Sequence, residues 1–145
     1  MSIDWTNRTA KVSKNFTVGD LIYLPSWKRL ANAEDGLDET IQTNLMLLVS
    51  RLESIRAFFN APIIVHVSYR PDLYNQLVKG KRHSAHLLGL ASDFHVVGIS
   101  CDDARKQILD AHLLDALNIR MEDQVGSNWI HIDLQPPKPN RFFKP

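Results

Sequence analysis

The sequence predicts an α+β domain, a small antiparallel sheet with flanking helices. Three observations carry that expectation. One long stretch, about residues 38–59, has helical periodicity; several short β-branched or alternating runs stand apart from it; and 145 residues leave room for one compact domain. Hydrophobic residues make up 44% and charged residues 23% of the chain, an ordinary globular balance that argues against disorder, collagen-like repeats and coiled coils. No internal repeat or low-complexity linker interrupts it.

The first 15 residues are polar and are expected to be loosely held, the folded domain to run from 16 to 134, and residues 135–145 to form a tail. Phe16-Thr17-Val18-Gly19-Asp20-Leu21 reads as a helix start with Thr17 as N-cap, and Pro25 limits that helix to a short piece. In the long helix, Ile41, Leu45, Leu48, Leu52, Ile55 and Phe59 share one face, and Asn60-Ala61-Pro62 stops it. Ile63–Val67 reads as a buried strand. Pro71-Asp72 opens a short helix through Val78, closed by Gly80, and residues 81–90 read as a loop. A strand follows over Ala91–Val97, then a helix capped by Ser100 that runs to about Ala116. Ile119–Gln124 and Trp129–Leu134 flank Gly126-Ser127-Asn128 and predict a β-hairpin. The tail, with four prolines in its eleven residues, is expected to be extended, and 22–40 to be loop.

With 17 Lys+Arg against 16 Asp+Glu, the formal charge of +1 argues against an electrostatic nucleic-acid binder. The single cysteine, Cys101, can neither close an intramolecular disulfide nor build a Cys-type zinc site. No apolar stretch approaches the roughly 20 residues that span a bilayer, so membrane insertion is not expected. Met1–Arg8 lacks the basic and apolar regions of a secretory signal, so synthesis in the cytoplasm without a signal peptide is expected. A monomer is the favoured state.

Six histidines offer chemistry. His66, His83 and His112 read as structural, having no acidic partner at a telling spacing. His86 differs: a histidine in a loop, then Gly89, then Asp93 in the next strand can converge on one point, with nitrogen and oxygen donors suited to zinc. His95, two beyond Asp93, is the reserve ligand. In the hairpin, a type II′ turn at Gly126-Ser127 pairs residues whose numbers sum to 253. Glu122 then faces His131, where a glutamate beside a ligand histidine can take a proton from attacking water. Asp133 shares the face of His131 and can orient a ligand histidine. The alternative makes Glu122 a surface carboxylate paired with Arg120 or Lys138, and Trp129–Asp133 an ordinary alternating strand.

Together these segments resemble the zinc peptidases of the D-alanyl-D-alanine carboxypeptidase and L-alanyl-D-glutamate peptidase type, within the LAS group named for lysostaphin, the D-alanyl-D-alanine carboxypeptidases and sonic hedgehog. The pattern Ser-x-His, two residues, Gly-x-Ala-x-Asp falls on Ser84, His86, Gly89, Ala91 and Asp93. A second, aromatic-aliphatic-His-aliphatic-Asp, falls on Trp129–Asp133, and Tyr69-Arg70, Asn75 and Gly80 stand where the family has Tyr-Arg, Asn and a glycine loop. The resemblance implies a hedgehog/DD-peptidase-like fold and one zinc ion held by His86, Asp93 and His131. It implies Arg70 and Ser84 as substrate-holding residues, and hydrolysis of peptidoglycan stem peptides, as in a phage lysin or a wall-remodelling enzyme. Two departures stand out: Val67-Ser68 replaces the common Ser-Gly before Tyr-Arg, and Glu122 lies further ahead of the last histidine than the family's glutamate often does. The competing function is a catalytically inactive, zinc-stabilised cell-wall-binding or virion structural module.

Overall fold

The computed structural model describes residues 2–145. Helix α1 (Val18–Ile22) starts at Thr17, whose backbone N–H donates to the Asp20 carboxylate at 2.8 Å. Where loop was expected, β1 (Tyr23–Leu24) and β2 (Arg29–Leu30) form a small antiparallel ladder, followed by a 3₁₀ turn at Ala33–Asp35. Arg29 reaches that turn and forks onto Asp35 at 2.6 and 2.9 Å, which ties the two pieces together.

The long helix is α2 (Glu39–Phe59), capped by Asp38, which accepts from the Ile41 N–H, and ended by Asn60 in the left-handed region. Its buried stripe is Ile41, Leu45, Leu48, Val49, Leu52 and Ile55; Phe59, its last residue, is only half-buried. Then come β3 (Ile63–Val67), α3 (Asp72–Leu77), a 3₁₀ turn over Ala85–Leu88 within the expected loop, and β4 (Ala91–Val96).

The helix expected from Ser100 to about Ala116 is two helices, α4 (Cys101–Asp110) and α5 (Leu113–Leu117), broken where His112 takes φ +56°. The reason lies in the stripe. Ala104 and Ile108 face the core, and an unbroken helix would bring Asp115 round to that face; the break turns Leu114 inward instead.

The hairpin strands are β5 (Arg120–Glu122) and β6 (Ile130–Asp133), paired Arg120↔Asp133 and Met121↔Ile132. The expected sum of 253 is thus the observed register, but the turn is not the expected one. Ser127 N–H donates to the Gln124 carbonyl, so the turn centres on Val125-Gly126, one residue early. An irregular stretch to Trp129 takes up the offset, and no ladder joins Gln124 to Trp129 or Val125 to Asn128.

The tail adds β7 (Phe142–Phe143), parallel to β5. The main sheet therefore runs β3-β4-β6-β5-β7, four antiparallel strands with one parallel edge. Alternation divides it into two faces. Phe94, Val96, Ile130, Ile132 and Met121 are buried in one core with the stripe of α2, while Asp93, His131 and Glu122 point the other way, into a cleft. No helix among the described residues is long and apolar enough to cross a membrane.

Candidate metal centre

The sheet register assembles most of the site. Asp93 on β4 lies directly opposite His131 on β6, and the next rung of the β5–β6 register sets Glu122 on the far side of His131. Three neighbouring strands thus put an aspartate, a histidine and a glutamate in one row. Two residues along, the row below holds Ala91, Asp133 and Arg120.

His86 arrives from the 3₁₀ turn. Ser84 caps that turn, its hydroxyl accepting the His86 N–H at 3.2 Å, and Gly89 ends it at φ +70°. A Cβ at Gly89 would stand 3.1–3.2 Å from Leu45 and Ile41 of α2, so both the backbone conformation and the close approach require glycine. The spacing from His86 to Asp93 is therefore a turn, a glycine exit against α2 and a return into the sheet. One ligand atom each from His86, Asp93 and His131 lies within 4.8 Å of the others.

The outer nitrogens of both imidazoles are fixed. His86 Nδ1 lies 2.6 Å from the Ser68 carbonyl, which can only accept, so Nδ1 carries the proton and Nε2 presents its lone pair. That lone pair faces Asp93 Oδ1 at 3.2 Å. Burial pushes His86 below the ordinary histidine range, which favours the neutral ring. Two acceptors facing each other in a buried site call for a cation between them, and this is the test that a zinc ion passes.

His131 is held from both ends, Nε2 at 2.9 Å from Asp133 Oδ2 and Nδ1 at 2.9 Å from Asp93 Oδ1. Burial works against its charge, but the hydrogen bonds to Asp133 and Asp93 prevail and raise its pKa to about 9. A zinc ion held by the triad would take the place of the Nδ1 proton. Asp93, although buried, is held well below the usual carboxylate range by the hydrogen bond and charge of the protonated His131 ring. Asp133 is 1% exposed and receives Arg120 through two bonds, Nε at 2.7 Å and a terminal nitrogen at 2.9 Å. The Arg120–Asp133 pair thus fixes the outer nitrogen of His131, a candidate ligand.

Around the triad is a cleft of about 330 Å³ whose lining includes Arg70, Ser84, Glu122 and Trp129. Glu122 Oε1 lies 4.0 Å from His131 Nε2. The Arg70 backbone N–H donates to the His86 carbonyl, and its guanidinium donates to Asn75 Oδ1 at 3.2 Å. The Arg70 Nε is buried with no hydrogen-bond partner, leaving an unspent donor at the cleft wall. A Cβ on Gly80 would collide with the Asn75 amide and lie 2.6 Å from the Arg70 guanidinium, so this glycine lets the loop close over the arginine.

All six expected site residues, His86, Asp93, His131, Glu122, Arg70 and Ser84, line this one cleft. His95 does not join them: its Nδ1 is 2.7 Å from His66 Nε2, on the β3 side. Arg120 pairs with Asp133 rather than Glu122, because the register sets those two directly opposite. Sequence reasoning missed three contributors. One is the Ser68 carbonyl, with the Ser68 hydroxyl turned inward to Ser92 at 2.9 Å. The second is Arg120, whose partner the 253 sum already named. The third is the tail, where Phe143 stands edge-on to the His131 ring at 6.2 Å and beneath the Arg120 guanidinium at 4.0 Å. No signal short of the two aromatics after a proline-rich run marked it.

No curated protein matches the chain. The family model described as Peptidase M15 matches residues 15–133, the stretch that carries every one of the six cleft residues. A match of that extent shows that the chain belongs to the Peptidase M15 family.

Proposed function

We propose that this M15 peptidase hydrolyses peptide bonds in the stem peptides of bacterial peptidoglycan, at a D-alanyl-D-alanine or L-alanyl-D-glutamate bond, in a hedgehog/DD-peptidase-like fold. His86, Asp93 and His131 hold one zinc ion, Glu122 is the base, and Arg70 and Ser84 hold the substrate. One observation supports this above the others: the three ligand atoms converge within 4.8 Å in the cleft that also presents Glu122 and the unpartnered Arg70 Nε.

Zinc in such a site supplies Lewis acidity and brings the pKa of water from about 16 to near 7. The chain's own groups do the rest. Glu122 accepts the proton of the attacking water and returns it to the leaving amine, for which its place beside His131 on the cleft face suits it. Arg70 binds a substrate carboxylate through its free Nε–H and a terminal N–H. Asp133, steadied by Arg120, keeps the His131 ring turned so that Nδ1 faces Asp93.

The test is mass spectrometry of muropeptides after incubation of purified peptidoglycan with the zinc-loaded protein and with a chelator-treated control. The expected result is a defined new amine and carboxyl terminus that appears only without chelator. Zinc-loaded protein that binds the wall and releases no product would make it an inactive wall-binding module instead.

A further inference from the structure

A second cavity, about 540 Å³, adjoins the metal cleft, and Ser84 lines both. Its polar walls come from Arg82 and His83 on the loop after Gly80, from Arg120 on β5, and from Lys138 in the tail. No aspartate or glutamate lines it. The Arg120 charge is taken up by Asp133, but Arg82 and Lys138 form no ion pair among the described residues. Lys79 and Lys81 on the neighbouring wall of the cleft form none either. The carboxylates that face these cations across the mouth are Asp93 and Glu122, and the site itself uses both.

A chain of formal charge +1 has therefore gathered unpaired cations on the rim of one opening. Unpaired surface lysines and arginines are ordinary when scattered. Arg82 and Lys138 line one cavity that shares Ser84 with the cleft and has no carboxylate of its own, which places them to meet an anion. Ala85, Leu87, Leu88 and Pro136 give the groove an apolar floor, which suits a side-chain stem beneath a charged head.

We propose that this groove is a specificity subsite for a carboxylate on the peptide substrate, on the far side of Ser84 from Arg70. Arg82 and Lys138 are its ligands, and Arg120 closes the back. The inference rests on the peptidase reading for the ligand being a peptide, whose anionic groups are carboxylates. It makes the enzyme selective for acidic peptides held at two points, one at Arg70 and one in the groove. Arg82 and Arg120 lie within the stretch matched by the family and Lys138 outside it, so the tail completes a subsite that the matched domain begins.

The experiment uses N-acetylated alanine peptides in which a single glutamate is moved stepwise along the chain, each beside its glutamine counterpart. Binding is measured by calorimetry to the zinc-loaded Glu122→Gln protein, and cleavage by the unsubstituted protein. At one position of the acidic residue, the glutamate peptide is expected to bind about threefold to thirtyfold tighter than its amide, as two partly exposed ion pairs allow. That preference should shrink in 0.5 M salt, about 4 Å in Debye length. It should vanish in the Arg82→Ala/Lys138→Ala double variant, both sites being exposed, with zinc content and melting temperature unchanged. Equal binding of every pair, or a preference that survives the double variant, overturns the proposal. A binding preference with no cleavage either of these peptides or of purified peptidoglycan would sink the peptidase reading and leave the subsite standing.

Discussion

Asp93 and His131 face each other across the β4–β6 ladder, with Oδ1 2.9 Å from Nδ1. Backbone register alone puts two of the three candidate ligands side by side, because directly opposed residues project from the same face with Cβ atoms about 5 Å apart. The third candidate ligand, His86, is delivered by a turn whose exit needs a glycine, so the cluster is held by the sheet and by α2.

Replacing Glu122 by alanine should leave zinc bound, since Glu122 is not among the three converging ligands. Hydrolysis should fall by about 10²–10⁴. Zinc content by mass spectrometry and release of product from peptidoglycan, measured on one preparation, check both halves.

Zinc binding should release protons below about pH 9. His131 is raised to about 9 in the metal-free protein, so at pH 7 its Nδ1 proton must leave as the metal enters. His86 and Asp93 are both shifted down and have no proton to give there. Calorimetry in buffers of differing ionisation heat should find about one proton released per zinc at pH 7, falling towards zero above pH 9. The stability of the metal-free protein follows the same group. The protonated His131 stabilises the fold fully below its ordinary pKa of 6.5, and that contribution is lost as pH rises through about 9. The melting temperature after chelation should therefore fall between those limits, by more than that of the zinc form.

Asp133→Asn keeps the shape but removes the charge that pairs with Arg120 and holds the outer nitrogen of His131. Zinc affinity should weaken about 10–100-fold, measured by competition with a chelator.

Gly89→Ala should destabilise the chain by about 1–2 kcal/mol from backbone conformation alone, with more from contact against Leu45 and Ile41. Urea unfolding of the zinc-free protein reads this without the metal's contribution.

Phe143→Ala tests the tail. Backbone bonds from Met121 N–H to Arg141 O and from Asp123 N–H to Phe143 O, both 2.7 Å, clamp β5 on either side of Glu122. Loss of the ring under Arg120 and against His131 should lower kcat with zinc content intact, because Phe143 steadies the residues that act without touching the triad's ligand atoms.

Much of this was legible in the residues. The α2 stripe, the β3 strand and the pairing of β5 with β6 follow from residue periodicity, whereas the grouping of His86 and Asp93 with His131 came from the resemblance of their motifs to the family and not from spacing. What was not legible depended on tertiary context. The kink at His112 serves the burial of Leu114, a demand that local propensity does not express. β7 exists because β5 offers an unpaired edge, not because its two residues form a strand by themselves. The turn moved to Val125-Gly126 while the pairing stayed, since burial of Met121, Ile130 and Ile132 on one face specifies the register and the loop adapts to it.

The most direct measurement is a crystal structure of the zinc-loaded protein with anomalous diffraction at the zinc edge. The account requires one strong peak about 2.0–2.2 Å from His86 Nε2, an Asp93 carboxylate oxygen and His131 Nδ1. A peak elsewhere, for instance between His66 and His95, with no density at the triad would contradict it.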